Sequence, residues 1–452
     1  MVSDNCILIL VFILIPIAVN SDNNWWGNLK SNNAKDTKTA LVTIVDKVER
    51  LEEYKLGLET VNCYANLRKY AHKVIILEDS GQPTNIQLDD DATIVLPSVH
   101  NMSHLCEQKM FMYRRHCVLA HYMSQNSDKF DLVVFLDADI GVVNPNRTID
   151  EYLPRDEKFI PSTPYMVFYN RLYVHEIMAG SYIARNVEYS RQFLHYWANL
   201  SYVEPYYPGT DNGAIHLVFM EMFNPTVETK QKCTRYRNES TTYDGLFKFE
   251  ACVRQHFGLN ETRYSAYGRT DEDMGKVIGF VALAPFGKSW CRDAGVTESR
   301  FSSGDFMFHQ WKQTAMNKPQ PGNKPGTWVY PFHVKNVSKK CQNRFNMQKC
   351  LGGSMEPWVP NEGLLVEEAK IDEELGVWIK NLNDGYKNNL KKLGIQDPPG
   401  TDSIQSNSTH KGIDEHSSTM PLSSIVVVYL IYATFTSIAT TQLWMKNYEI
   451  VV

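Results

Sequence analysis

The sequence predicts an α/β fold in which helices flank a mostly parallel β-sheet. Between residues 40 and 137, apolar segments of strand length alternate with longer segments of helical periodicity, an order that is typical of βαβ units. Two of the apolar segments end in an aspartate, Asp46 and Asp137. Because ligands bind at the carboxyl ends of the strands in such sheets, we expect a functional site at this edge.

The N-terminal part of the chain supplies the regular alternation. The predicted strands cover residues 40–46, 73–77, 93–96 and 133–137, and the predicted helices cover residues 51–70 and 104–124. After Asn144-Pro145 the pattern becomes mixed, with a strand at 178–184 and helices at 190–200 and 212–222. A charged, periodic segment at 367–393 predicts a final surface helix. We therefore expect one domain at 40–393 that carries a C-terminal elaboration.

Two aspartates follow the apolar run 133–136, in the sequence Asp137-Ala138-Asp139. Alternate residues of an extended segment point the same way, so both carboxylates can face one site. Buried carboxylates need a neutralising partner, and oxygen ligands of this kind suit Mg²⁺ or Mn²⁺, which usually share their coordination with a substrate phosphate. The alternative is a solvated turn, in which such a triplet binds no metal.

The segment Phe-Leu-Asp-Ala-Asp-Ile-Gly-Val-Val-Asn-Pro around these aspartates resembles the DxD segment of GT-A glycosyltransferases. More closely, residues 40–365 resemble the nematode-expanded domain-of-unknown-function family 273, which is thought to be related to Golgi α-galactosyl and α-mannosyl transferases of the yeast galactomannan type. The resemblance implies a GT-A-like (Rossmann-like) domain, a Mn²⁺ or Mg²⁺ ion, and a nucleotide-diphospho-sugar as the donor substrate.

The same resemblance implies a set of metal ligands. Asp137 and Asp139 would be two of them, and His309, in Phe-Met-Phe-His-Gln-Trp-Lys, would be the third. Asp137 would also lie near the donor ribose, and Lys312 would neutralise charge on the diphosphate. The glycine that usually follows the histidine in the related enzymes is Gln310 here. The alternative for His309 is a core histidine between aromatic residues.

Four further residues are implied to contact the donor. Lys109 occupies the place of a lysine that meets the diphosphate, although a solvated helix charge explains it equally well. Asp211, in Gly-Thr-Asp-Asn-Gly-Ala, would be the catalytic residue that binds a donor hydroxyl or orients the transferring sugar; its alternative is a helix N-cap. The main chain around Gly180 and Ser181 would line the sugar pocket.

Together these features predict a hexosyltransferase that acts on a lumenal glycan or glycoprotein acceptor and retains the anomeric configuration. One alternative is a catalytically silent protein that binds a nucleotide or a carbohydrate on the same fold. A second is a phosphatase of the haloacid type, in which Asp137 would be the nucleophile and Asp139 the general acid. A net charge of −5 gives no reason to expect a nucleic acid as partner.

The ends of the chain predict a secretory route. Residues 1–21 fit a signal peptide, with an uncleaved anchor as the alternative. A polar linker is expected at 394–421, a transmembrane helix or a lipid-anchor signal at 422–444, and a short tail at 445–452. We expect the protein to face the lumen of the secretory pathway and to reside in the Golgi or the cell-surface membrane.

Sequons and cysteines agree with that route. Seven N-x-S/T sequons are spread over the body, at Asn101, Asn146, Asn199, Asn238, Asn260, Asn336 and Asn407. Removal of Cys6 with the signal peptide leaves eight cysteines, which are expected to form disulfides of unspecified connectivity: Cys63, Cys106, Cys117, Cys233, Cys252, Cys291, Cys341 and Cys350.

Overall fold

The fold is described from a computed structural model. It describes residues 38–77, 85–88, 92–95, 105–154, 164–172, 176–202, 209–223, 226–257, 265–271, 276–284, 287–318, 326–333, 350, 354–361 and 363–395. All of them belong to one compact unit, Met1–Pro398.

The described residues form three β-sheets. Their strands are β1 Thr39–Val45, β2 Ala71–Ile76, β3 Asn85–Leu88, β4 Ala92–Val95, β5 Leu132–Leu136, β6 Ile140–Val142, β7 Met166–Tyr169, β8 Ser181–Arg185, β9 Ser265–Asp271, β10 Lys276–Ala284, β11 Cys291–Asp293 and β12 Met307–His309. The large sheet has the order β2-β1-β5-β8-β7-β10-β9. In it β1, β2, β5, β7 and β10 run in one direction, whereas β8 and β9 run in the other. The predicted mostly parallel sheet is therefore confirmed.

Helices cover both faces of this sheet. They are α1 Arg50–Arg68, α2 Phe111–Gln125, α3 Glu188–Asn199, α4 Thr210–Met222, α5 Val227–Asn238, α6 Tyr243–Phe257 and α7 Glu368–Lys392. The strand β5 shows why its sequence is apolar throughout: Val133 and Phe135 join the core beneath α2, α3 and α4, whereas Leu132, Val134 and Leu136 join the core on the α1 side. A strand buried on both faces has no place for a polar residue before it ends.

A small sheet of order β11-β12-β6 stands at the end of β5. Because β6 begins at Ile140, the residues Asp137-Ala138-Asp139 form the link between the two sheets. Gly141 in β6 lies under the indole of Trp311, where an added Cβ would come 2.1 Å from a ring carbon. A glycine at this position lets the aromatic side chain pack directly on the strand.

One predicted helix begins later than expected. The sequence predicts it from residue 104, but α2 begins at Phe111, after an extended Met110. Cys106, in the segment before the helix, forms a disulfide with Cys117 inside it. This bond folds the preceding segment back against the helix, so the helix cannot continue through Cys106.

Three disulfides join described residues: Cys63–Cys350, Cys106–Cys117 and Cys233–Cys252. The expectation that Cys291 also forms one is wrong, because Cys291 is a buried free thiol on β11. Burial raises the pKa of this thiol well above its usual value. Cys341 lies outside the described residues.

Several predicted segments fall outside the described part of the chain. They are the signal peptide at 1–21, nearly all of the linker at 394–421, the membrane segment at 422–444 and the tail at 445–452. Among the described helices, none has the length and apolar character needed to cross a bilayer.

The sequon at Asn146 is built into the fold. Asn146 is 9% exposed, and its backbone N–H donates to Oδ1 of Asn144. Thr148, the third residue of the sequon, begins a 3₁₀ turn through a capping box with Glu151. In contrast, Asn238 is exposed at the end of α5.

When the chain passes through a secretory expression host, we expect a glycan at Asn238 and none at Asn146, because an attached sugar at the buried position would prevent the turn from packing. Asn238→Gln should therefore increase the electrophoretic mobility of the secreted protein, whereas Asn146→Gln should not. Treatment with an N-glycosidase removes the first difference. A mobility shift in the Asn146 variant would contradict the buried placement.

Candidate metal and donor site

The turn after β5 positions the first two carboxylates. The N–H of Asp137 donates to the carbonyl of Gly180 at the start of β8, over 2.7 Å, and Ile140 N–H donates to the carbonyl of Asp137, over 3.0 Å. An added Cβ at Gly180 would come 2.1 Å from Oδ2 of Asp137. Gly180 therefore leaves the room that the Asp137 carboxylate occupies.

The small sheet then brings a histidine to these carboxylates. Its strand β12 pairs with β6 so that His309 stands opposite Ile140, the residue after Asp139. As a result, ligand atoms of Asp137, Asp139 and His309 all lie within 4.8 Å of one another. His309 Nε2 is 3.2 Å from Oδ1 of Asp139. Two carboxylates and one imidazole form a donor set that fits Mn²⁺.

Cations line the same cluster. Lys312 Nζ lies 3.6 Å from Oδ2 of Asp139, and its side chain is 39% exposed, so the amine is open to a ligand. Burial alone would lower the pKa of His309, but the Asp139 and Asp293 carboxylates outweigh it and raise that pKa to about 9. Burial and the Asp139 carboxylate raise the pKa of Asp137, against the opposing effect of Arg115. The charges of this cluster are thus tightly coupled, as is expected where a cation binds.

Arg115 on α2 joins the Asp137 carboxylate to Asp211 on α4. Its guanidinium contacts Oδ1 of Asp137 and Oδ2 of Asp211, the latter at 2.5 Å. His116 Nε2 lies 3.1 Å from the same Asp211 oxygen, and His116 Nδ1 lies 2.9 Å from the Tyr182 hydroxyl. Burial lowers the pKa of His116 to about 4, so this imidazole is neutral.

Asp211 is enclosed by these partners. It is 1% exposed. Burial would raise the pKa of its carboxyl, but Arg115 and His116 outweigh burial and lower that pKa to about 2. The alternative that Asp211 caps α4 is wrong, since the N-cap residue is Gly209 in the left-handed conformation. Asp211 therefore fixes Arg115, and its predicted contact with a sugar stays a prediction.

Two other predicted donor contacts have different surroundings. Lys109 is exposed in the segment before α2, and the cation that reaches Asp137 is Arg115 on the helix itself. Ser181 is fully buried, and its hydroxyl accepts a hydrogen bond from the indole N–H of Trp290 over 2.8 Å. The Ser181 side chain therefore packs the strand. The diphosphate contact of Lys109 and the sugar contact at Gly180-Ser181 stay predictions.

Sequence reasoning missed three residues that hold the site together: Arg115, Arg171 and Asp293. Asp293 accepts from Nδ1 of His309 over 2.8 Å and from Nη2 of Arg171 over 2.9 Å. Asp293 could have been predicted from its position, because it is an aspartate at the end of a strand, as Asp137 is at the end of β5. The arginines carried no such signal, since their partners are distant in the sequence.

Gln310, beside the candidate metal ligand, has an unusual conformation. Its φ is +81°, in the region that favours glycine. The residue is 2% exposed, and neither Oε1 nor Nε2 of its side chain has a hydrogen-bond partner among the described residues. Both features cost folding free energy.

A second buried polar group lies on α4 and α6. Glu250 Oε1 is 3.9 Å from Nδ1 of His216, and both residues are buried. Burial and the nearby Glu176 carboxylate raise the pKa of Glu250 to about 8. Arg254, one turn further along α6, donates to Oδ1 of Asn170 at the end of β7. The polar edge of the sheet thus extends from β5 to β7 and α6.

Comparison with known proteins gives one family match. The family model described as "Protein of unknown function, DUF273" matches residues 89–324, which is more than half of the 452 residues. The match begins later and ends earlier than the resemblance predicted at 40–365. No curated protein matches the chain.

The solved structures with weak similarity include three that are glycosyltransferases. A glycosyltransferase involved in the glycosylation of the major capsid of PBCV-1 is 13% identical over 37% of this chain and 69% of its own, with a TM-score of 0.26. The catalytic domain of Drosophila β1,4-galactosyltransferase 7 with xylobiose is 16% identical over 35% of this chain and 52% of its own, with a TM-score of 0.19. A mutant of that enzyme with manganese, UDP-Gal and xylobiose is 13% identical with the same two coverages, 35% and 52%, and a TM-score of 0.20.

We expect Gln310→Gly to stabilise the fold by about 1 kcal/mol, because glycine adopts a positive φ without strain and removes the buried amide. Gln310→Ala is the matched control: it removes the amide but keeps the strained backbone, so its gain should be smaller. Thermal denaturation of the three proteins measures both effects. A lower melting temperature for Gln310→Gly would show that the glutamine side chain stabilises the fold.

We expect Glu250→Gln to change how the stability of the fold depends on pH. Between pH 4.5, the ordinary pKa, and about 8, the folded protein keeps this proton while the unfolded chain loses it, so wild-type stability falls as pH rises through that window. The stability of the variant relative to wild type should therefore increase across the window and level off above it. Thermal denaturation at several pH values measures this, with exposed Glu239→Gln as the control. A constant difference would contradict the prediction.

Proposed function

The chain belongs to the DUF273 family of proteins of unknown function, and we propose that it is a metal-dependent glycosyltransferase. It transfers a hexose from a nucleotide-diphospho-sugar to a glycan or glycoprotein acceptor. The observation that carries the proposal is the cluster of Asp137, Asp139 and His309 at the carboxyl edge of a mostly parallel sheet. Ligands bind at that edge in open α/β sheets.

The first strand and helix offer a place for the donor nucleotide. Asp46 follows β1, and Arg50 at the start of α1 lies 3.7 Å from it, Nε to Oδ1. Tyr54 lies one turn along α1, and burial together with the Asp139 charge raises the pKa of its hydroxyl to about 12. Its partly buried ring gives a base or ribose a surface to pack on. The nucleotide would therefore bind between α1 and the DxD turn.

The charges beside the cluster suit a diphosphate leaving group. A bound Mn²⁺ or Mg²⁺ would act as a Lewis acid on the diphosphate oxygens. Asp137, Asp139 and His309 would hold the ion, and Lys312, whose amine is partly exposed, would bind a phosphate oxygen directly. Arg115 keeps the Asp137 carboxylate in place through its contact with Oδ1.

We further propose that the transfer retains the anomeric configuration and takes place in the lumen of the secretory pathway. Three disulfides in the described residues agree with an oxidising compartment. The chain would reach the Golgi or the cell-surface membrane through the C-terminal segment at 422–444.

The deciding experiment is a screen of purified protein against UDP- and GDP-sugars, with and without Mn²⁺, for release of free nucleotide. Manganese-dependent release from one donor supports the transferase and identifies its sugar. Binding without release, with acceptor glycans present, favours the silent binder. Failure to bind any nucleotide in the presence of metal contradicts the proposal.

We expect Asp139→Asn to weaken manganese-dependent nucleotide binding by about 10- to 100-fold, since it removes an anionic ligand of the ion. Calorimetric titration of the nucleotide in the presence of Mn²⁺ measures the effect. Asp244→Asn is the control, because Asp244 is exposed and pairs only loosely with Lys392, at 3.8 Å. Undiminished binding in the Asp139 variant would refute the metal assignment.

A further inference from the structure

We propose that Asp293 is a positioning residue for metal binding, which fixes the ring of His309 so that Nε2 faces the cation, and that Arg171 in turn fixes Asp293. This inference rests on the proposed metal site. It extends that site to two residues that would not touch the ion.

The imidazole of His309 is held from both sides. Its Nδ1 lies 2.8 Å from Oδ1 of Asp293, and its Nε2 lies 3.2 Å from Oδ1 of Asp139. The first contact follows from the backbone, because β11 and β12 are parallel neighbours in which Asp293 stands beside His309. Asp293 is 3% exposed. Water therefore does not compete for this hydrogen bond.

Arg171 fixes the plane of the Asp293 carboxylate. Its Nη2 donates to Oδ1 over 2.9 Å, and its Nε lies 3.4 Å from Oδ2. Arg171 follows β7 of the large sheet, and its backbone N–H donates to the carbonyl of Glu176 over 3.0 Å. A two-point contact of this kind restrains both the position and the rotation of a carboxylate.

The consequence for His309 is a defined proton position. An ionised carboxylate only accepts hydrogen bonds, so Asp293 keeps a proton on Nδ1. The nitrogen left to bind a metal, once the metal displaces its proton, is then Nε2, which faces Asp139. A carboxylate behind a metal-binding histidine orients the ring and makes it a better donor.

A neighbouring ion pair shows what a purely structural role looks like here. Arg292, the residue before Asp293 on β11, donates to Oδ1 of Asp305 over 2.6 Å and to the Thr297 hydroxyl over 2.8 Å. Both side chains of this ion pair are buried. Asp305 makes no contact with His309 among those that the structure describes. It provides the matched control for Asp293.

The experiment titrates the full-length protein with Mn²⁺ in the absence of nucleotide and follows the bound ion by calorimetry. Asp293→Asn should weaken Mn²⁺ binding by about 10- to 100-fold. Asp305→Asn should destabilise the fold to a similar extent and leave the Mn²⁺ affinity unchanged. If Asp293→Asn does not fold, Arg171→Lys, which keeps the charge and loses the two-point contact, should weaken binding several-fold.

A second readout needs no metal. In ¹⁵N-histidine spectra of the metal-free protein, recorded at a pH above the pKa of His309 so that the imidazole is neutral, the remaining proton should lie on Nδ1 in the wild type and in Asp305→Asn, and it should be shared between Nδ1 and Nε2 in Asp293→Asn. His309→Asn assigns the resonance. Equal Mn²⁺ affinities for wild type and Asp293→Asn would overturn the positioning role alone. A wild type that binds no Mn²⁺ would overturn the metal site as well.

Discussion

The pairing of β6 with β12 determines where the charged groups of the site lie. It places His309 opposite Ile140, and thereby beside Asp139, and the adjoining strand β11 brings Asp293 to the other side of the same imidazole. A shift of one residue in this register would turn His309 to the opposite face of the small sheet. The packing of Trp311 on Gly141, where no side chain fits, opposes such a shift.

The burial of charged side chains is the main free-energy cost of this arrangement. The chain offsets that cost by pairing buried carboxylates with arginines. Arg115 forms ion pairs with Asp137 and Asp211, and Arg171 forms one with Asp293. Each pair costs desolvation, and removal of one member would leave an uncompensated charge inside the protein. Asp139 differs in the kind of partner it contacts, which includes His309 and the partly exposed Lys312.

The sequence was most informative where the signal is local. The alternation of strands and helices predicted the mostly parallel sheet, and the apolar strand that ends in Asp137-Ala138-Asp139 predicted the carboxylates at its edge. Arg115 could not be found this way, because its partners Asp137 and Asp211 lie 22 and 96 residues further along the chain. Lys109 was predicted instead, because its segment resembles the one that carries a diphosphate-contacting lysine in the related transferases. Lys109 lies before α2 begins at Phe111, whereas Arg115 lies within that helix and contacts Asp137 and Asp211.

The bond between Cys63 and Cys350 spans 287 residues, and the candidate metal ligands Asp137, Asp139 and His309 all lie within that span. It joins α1, near the start of the body, to a segment near its end. After a single proteolytic cut in any loop between these two cysteines, the disulfide would still join the two fragments covalently, and they would stay together until it is reduced. A nick in one of these loops would therefore not by itself separate the chain segment that carries Asp139 from the one that carries His309.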